Sequence, residues 1–134
     1  MGVFTVETKI TNWPNRFLPE DERGDEVTCV ALVDTGAVEL ALPAELIERL
    51  RLVEVGVIRA ETADGAHHRC RLMGIAEVEV QGRTCRVQVI ELLRGAQPLL
   101  GAVPLEEMDW HISPTQRGLV PNARWPDLPT QPLM

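Results

Sequence analysis

The chain has 134 residues, with 20 Asp or Glu against 13 Lys or Arg and a formal net charge of −7. That length suits one domain, and so acidic a chain lacks the basic patch that a nucleic-acid backbone binder needs. Apolar residues at 45% exclude a disordered chain, no apolar run nears the roughly 20 residues that span a membrane, and three scattered cysteines (Cys29, Cys70, Cys85) build neither a disulfide framework nor a zinc site.

Residues 3–10 are rich in β-branched side chains, and Val6, Thr8 and Ile10 share one face at period 2, which predicts a strand. Asn12-Trp13-Pro14-Asn15 reads as a turn, and the charged stretch 20–26 with Gly24 as an exposed loop. Residues 27–33 form an almost unbroken apolar run, expected to be a buried strand. It leads straight into Asp34-Thr35-Gly36-Ala37. Pro43 opens a helical pattern ending near Leu52, with Leu46, Ile47 and Leu50 as its apolar stripe.

From 54 to 90 the pattern is extended again. Val55, Val57 and Ile58 lead to Ala63-Asp64-Gly65-Ala66 and then to Cys70-Arg71-Leu72-Met73. Asp-Gly predicts a two-residue hairpin turn, both central residues taking positive φ. Residues 75–80 alternate, Gln81-Gly82 turns the chain, and 85–90 alternate again as a second hairpin. Leu99-Leu100-Gly101 is a short apolar run closed by glycine, and 104–108 read as a short helix. Residues 119–134 carry Pro121, Pro126, Pro129 and Pro132. Such spacing excludes a central strand or a helix, so an extended tail is expected.

The chemistry sits in Asp34-Thr35-Gly36-Ala37. A carboxylate between a buried strand and a glycine turn is costly unless it is used. Gly36 lets the backbone turn tightly or a ligand come close, and the Thr35 hydroxyl can brace a loop. Two such loops face to face would place two carboxylates in contact, sharing one proton. One would act as base on a trapped water and the other as acid toward a carbonyl. The motif occurs once in the chain.

Together these landmarks resemble the retropepsin-like aspartic proteases in their single-domain bacterial form. The resemblance runs from about Val6 to Pro121. The apolar run with Asp34-Thr35-Gly36-Ala37 looks like the catalytic loop, Ala63-Asp64-Gly65 like a flap tip, and Leu99-Leu100-Gly101 with its short helix like the element behind the loop. It implies an all-β, retropepsin-like closed barrel with a flap hairpin and one or two short helices, working as a homodimer. The division implied is a protease domain over 1–121 and a proline-rich tail over 122–134. Asp34 would be the catalytic residue, one per subunit. Thr35, Gly36 and Ala37 would support the loop and bind substrate, and Leu100 and Gly101 would pack behind it. The implied partners are a second copy and a peptide or protein substrate, with no nucleic acid and no membrane. No metal and no cofactor is required, and the expected location is the cytoplasm.

Two positions depart from the viral pattern. Val38 stands where viral relatives carry a second carboxylate, and Ala102 and Val103 stand where they carry an arginine. These departures keep a second reading open: a catalytically silent peptide-binding or assembly module on the same fold. An aspartate that merely caps a turn is the plain alternative for Asp34. His67 and His68 are adjacent on a strand and point to opposite faces, so they do not grip one ion. Cys70 and Cys85 would approach each other across the sheet without forming a disulfide. Trp13 and Trp110 are read as packing residues, and Trp125 as packing or as a docking anchor.

Overall fold

A computed structural model describes residues 4–133. Among the described residues, nine strands and two short α-helices follow one another: β1 (Thr5–Asn12), β2 (Val27–Val33), β3 (Leu40–Pro43), α1 (Ala44–Leu50), β4 (Val53–Glu61), β5 (His67–Val80), β6 (Arg83–Leu92), β7 (Leu99–Leu100), α2 (Ala102–Glu107), β8 (Trp110–Ser113) and β9 (Gly118–Pro121), with 3-10 turns at Trp13–Phe17 and Glu20–Glu22 between β1 and β2. The main sheet runs β1-β2-β7-β3-β6-β5, and β5 returns to pair with β1 over Lys9–Asn12. Six strands therefore close into a barrel and leave no free edge among themselves. β4 adds only to the first half of β5, so the β4–β5 hairpin extends beyond the barrel. The expected all-β closed barrel with short helices is what the chain forms. No helix among the described residues is long and apolar enough to cross a membrane.

Period 2 places the core. Val6, Thr8, Ile10 and Asn12 are buried along β1 while Thr5 and Glu7 face solvent. Val78 and Val80 do the same on β5, as do Cys85, Val87 and Val89 on β6. The fully buried Leu40, Leu42 and Leu100 contribute about 2 kcal/mol each by leaving water. Ile47 and Leu50 bury the stripe of α1. Arg51 caps that helix in the left-handed conformation, its N–H reaching the Glu48 carbonyl at 3.1 Å.

Several expectations change. β1 starts and ends two residues later than residues 3–10, and Val3 lies outside the described residues. β2 is a half-exposed strand rather than a buried one: Val27, Ala31 and Val33 face the core, but Thr28 and Val30 face outward, Val30 with 55% exposure. β3 was not expected, and it is a fully buried four-residue strand. The segments read at 70–73 and 75–80 are one 14-residue strand, β5, with an irregularity between Met73 and Ala76. Residues 119–121, read as the start of the tail, belong to β9, which pairs with β8 in a separate ribbon.

The two turns exchange geometry relative to expectation. At the β4–β5 tip the Gly65 N–H donates to the Thr62 carbonyl, and the Thr62 N–H to the Ala66 carbonyl, each at 2.9 Å. Only Gly65 takes positive φ (86°). This is a three-residue loop with a glycine in the left-handed position, not a two-residue turn. Gln81 and Gly82 are the pair with positive φ at both positions, 50° and 86°, between the partners Val80 and Arg83.

Candidate active site

Strand β2 delivers Asp34 to one end of the barrel. β2 runs parallel to β7, with Val33 opposite Leu100, and the Asp34 N–H donates to the Leu100 carbonyl at 3.1 Å. The chain then turns: the Ala37 N–H reaches the Asp34 carbonyl at 3.0 Å. Within that turn the Gly36 N–H donates to Asp34 Oδ1 at 2.9 Å. A Cβ on residue 36 would stand 3.1 Å from the same oxygen, so glycine lets the backbone donor lie close to the carboxylate. Asp34 Oδ2 takes no hydrogen bond from the described residues. Thr35 and Gly36 are exposed and Asp34 and Ala37 are half-buried. The loop is a rigid turn that presents one carboxylate oxygen.

The element behind the loop explains its rigidity. Gly101 packs against the backbone of residues 37–39, where a Cβ would meet Glu39 O at 2.4 Å and Ala37 O at 2.7 Å. Past it, the first N–H groups of α2 turn back to the loop: Ala102 N donates to Ala37 O at 2.9 Å and Val103 N to Val38 O at 2.8 Å. These amides have no partner inside the helix, so the loop and the helix start satisfy each other. Leu100 and Gly101 thus stand behind the loop, as the resemblance implied.

Ala63, Asp64 and Gly65 lie apart from this loop, at the exposed tip of the β4–β5 hairpin. No hydrogen bond joins the tip to residues 34–39 among the described residues. Asp64 Oδ1 accepts the Thr62 hydroxyl and, at 3.0 Å, the Ala66 N–H. Those two donors, the hydroxyl first, hold the Asp64 carboxyl below its usual range. Asp64 therefore shapes the tip. Down the hairpin, Gly56, Ile58, Ala60, Cys70 and Leu72 form one half-buried side; Val57, Arg59, Glu61, Arg69 and Arg71 form the exposed one.

A cavity of about 790 Å³ opens beside Thr35, walled by Leu105 and Glu107 of α2, by Asp109 and His111, and by Thr130 of the tail. Among its walls is Asp109, a residue the sequence reading passed over. Asp109 is buried at 7% exposure and left-handed at φ 52°. Its Oδ1 takes the His111 Nε2 hydrogen and its Oδ2 the Thr130 N–H, both at 3.0 Å. Burial pushes this carboxyl up, but the Thr130 amide, His111 and Arg83 outweigh it and hold the group below its usual range. Asp and His two apart, on either side of the residue that opens β8, were the available signal, and that strand was not foreseen. Cys85 is the other perturbed buried group, its thiol pushed up to about 12 by burial, which leaves it inert. All three cysteines are free. Cys85 pairs opposite Val78 and Cys70 opposite Ile58, so the two do not adjoin. Among the described residues no group of three or more His, Cys, Asp or Glu is placed to hold a metal.

A family model described as "gag-polyprotein putative aspartyl protease" matches residues 24–107, from before β2 to the end of α2. Among solved structures, the chain is similar to the retroviral protease-like domain of Ddi1 from Leishmania major. The TM-score there is 0.52 at 19% identity, covering 91% of each chain. It is also similar to a retropepsin-like aspartic protease from Rickettsia conorii, with a TM-score of 0.49 at 18% identity, over 89% of this chain and 98% of that one. No curated protein matches the sequence.

Proposed function

The chain belongs to the gag-polyprotein aspartyl protease family, and from that premise we propose that it is an aspartic endopeptidase active as a homodimer, with Asp34 of each copy forming the catalytic dyad. The observation that carries this reading is the Asp34 turn. One carboxylate oxygen is fixed by Gly36, the other is unclaimed among the described residues, and the whole loop is braced from behind by Leu100 and Gly101. One chain supplies one such loop, and a two-fold axis between two loops supplies the second.

In that dimer the two carboxylates share one proton, since like charges in contact do not both ionise. The ionised one takes a proton from water as the water oxygen adds to the scissile carbonyl carbon. The protonated one gives its proton to the carbonyl oxygen. Collapse of the tetrahedral adduct returns a proton to the amide nitrogen as the C–N bond breaks. Thr35 ties the two loops together, and Gly36 and Ala37 present backbone to the substrate. The β4–β5 hairpin, with Ala63, Asp64 and Gly65 at its tip, acts as the flap; its half-buried side covers the substrate and excludes water. The reaction calls for no metal and no cofactor. The proposed location is the cytoplasm, where three free thiols stay reduced.

Asp34→Asn tests this reading. The amide keeps an oxygen for the Gly36 N–H, so the fold and dimer are retained while peptide hydrolysis falls by roughly a thousandfold or more. A variant that cleaves a mixed peptide library as well as the parent overturns the assignment. The second reading, a silent peptide-binding module, draws on Val38, an exposed apolar side chain beside the loop at 62% exposure. It predicts peptide binding without products, in a parent that a transition-state mimic does not inhibit.

A further inference from the structure

The exposed side of the β4–β5 hairpin carries a pair of charges that the fold does not use. Arg59 of β4 and Arg69 of β5 are direct cross-strand partners, and both are exposed. Partners so placed have Cβ atoms about 4.5–5.5 Å apart, and like charges there destabilise a sheet. Elsewhere in the barrel the charges set opposite one another are complementary: Lys9 pairs with Glu79 and Glu77 with Arg86. The neighbouring Arg71 is engaged by Glu91 and Glu54. Arg59 and Arg69 have no carboxylate within ion-pair distance among the described residues. In a chain of net charge −7, with carboxylates in surplus, an arginine pair left uncompensated is a place for an anion from outside the chain.

The surroundings say which anion. Val57, 47% exposed, stands two residues from Arg59 toward the root of the hairpin, and Glu61 two residues toward its tip. Glu54 and Glu91 lie on the root side, around Arg71. The positive spot is thus two charges wide and fenced by acids, which repels a polyanion such as a nucleic acid or an anionic membrane surface. It fits one carboxylate, which two guanidinium groups grip with charge-assisted hydrogen bonds. Beside it the bare valine favours an apolar side chain. Extended chain repeats its side chains on one face about every 7 Å, so a segment lying along β4 meets Arg59 and Val57 with residues two apart. We propose that this side of the hairpin docks an extended segment of a partner protein, its Asp or Glu carboxylate held between Arg59 and Arg69 and an apolar side chain two residues away on Val57. The opposite side, with Ile58 and Leu72, is the one that covers substrate in the reading above, so the docked segment lies outside the cleft.

Heteronuclear NMR titration of the full-length Asp34→Asn protein, with a terminally blocked hexapeptide alternating valine and glutamate, tests the site. That background keeps the probe uncut, so the result stands apart from the Asp34 reading. Amide signals of residues 57–61 and 67–71 shift saturably, and those of 34–39 stay in place. Adding Arg59→Thr and Arg69→Thr raises the probe's dissociation constant at least about tenfold, and a valine–lysine hexapeptide binds the unaltered hairpin more weakly by a similar factor. Urea unfolding finds the threonine variant at least as stable as its background, because a repulsion is gone. The proposal is overturned by equal binding of the variant, by equal binding of the lysine peptide, by shifts centred on 34–39, or by no saturable shift up to the probe's solubility. A variant less stable than its background overturns it too, since the arginines would then serve the fold. Binding to phosphatidylglycerol vesicles in preference to the peptide would make the face a membrane contact instead.

Discussion

Gly101 lies so close to Glu39 that a Cβ on residue 101 would stand 2.4 Å from the Glu39 carbonyl oxygen. The same atom would meet Val38 C at 2.8 Å. All these neighbours are backbone, so no side chain can swing away. This contact, with the Ala102 and Val103 amides beside it, sets how the Asp34 loop is shaped.

Gly101→Ala therefore pushes the loop rather than filling space. The expected cost is about 1–3 kcal/mol of overpacking, with a loss of peptide hydrolysis larger than the loss of fold. Urea unfolding and a hydrolysis assay separate the two. Gly56→Ala is the control: the nearest atom there is a Leu72 side-chain carbon at 3.6 Å, so stability stays nearly unchanged. Equal behaviour of the two variants would show that the close approach does not shape the loop.

The Gln81-Gly82 turn offers a gain. Both residues are left-handed, and Gln81, at φ 50°, carries a side chain that disfavours this. Asparagine tolerates the conformation better and is a preferred partner for glycine in such turns. Gln81→Asn is expected to stabilise the protein by a few tenths up to about 1 kcal/mol, seen as a higher urea midpoint with an unchanged slope. A lower midpoint would refute the turn assignment.

Where the fold was legible, one local rule matched the tertiary outcome. Val6, Thr8 and Ile10 alternate, and they point inward because β1 has the core on one face and solvent on the other. The Asp34 loop and its Leu-Leu-Gly support were legible because both need specific residue types. Residues 27–33 misled because apolar composition does not distinguish a core face from an outer face; Val30 is out, and Gln97 bonds its carbonyl. Strand β3 was hidden because Leu-Ala-Leu-Pro carries no alternation. It exists through parallel pairing with β6 and antiparallel pairing with β7, contacts about 50 to 60 residues away along the chain. β9 was masked by the prolines that follow it, and with it went β8 and the Asp109 cluster.

Asp109 separates charge from geometry. Asp109→Ala leaves the Thr130 amide and His111 without their acceptor and keeps a β-carbon at φ 52°. The expected cost is about 1–3 kcal/mol. Asp109→Asn keeps an acceptor for Thr130 and suits the left-handed backbone, so it costs less than about 1 kcal/mol. Urea unfolding of both variants at neutral pH checks the order, and an Asn variant as unstable as the Ala variant would show that the charge itself is what holds the site.

Arg71 ties three strands at the root of the hairpin. Its Nε and Nη2 fork onto Glu91 of β6 at 2.9 and 2.6 Å, and its Nη1 approaches Glu54 of β4 at 3.6 Å. The Arg71 hydrogen bonds hold the Glu91 carboxyl below its ordinary value of 4.5. A carboxyl depressed on folding adds stability that is complete above the unfolded value and is lost as pH falls through the folded one. The Arg71 side chain is half exposed, so solvent screening keeps the pair's contribution small near neutrality. Glu91→Gln should therefore lower stability slightly at pH 7, and the gap to the parent should close as pH drops below 4.5. Urea midpoints of both proteins at pH 7 and in acid read this directly. Faster amide exchange along β4 at pH 7 in the variant would place the effect at the hairpin root. A gap that persists undiminished in acid would mean that Glu91 acts through packing and not through its charge.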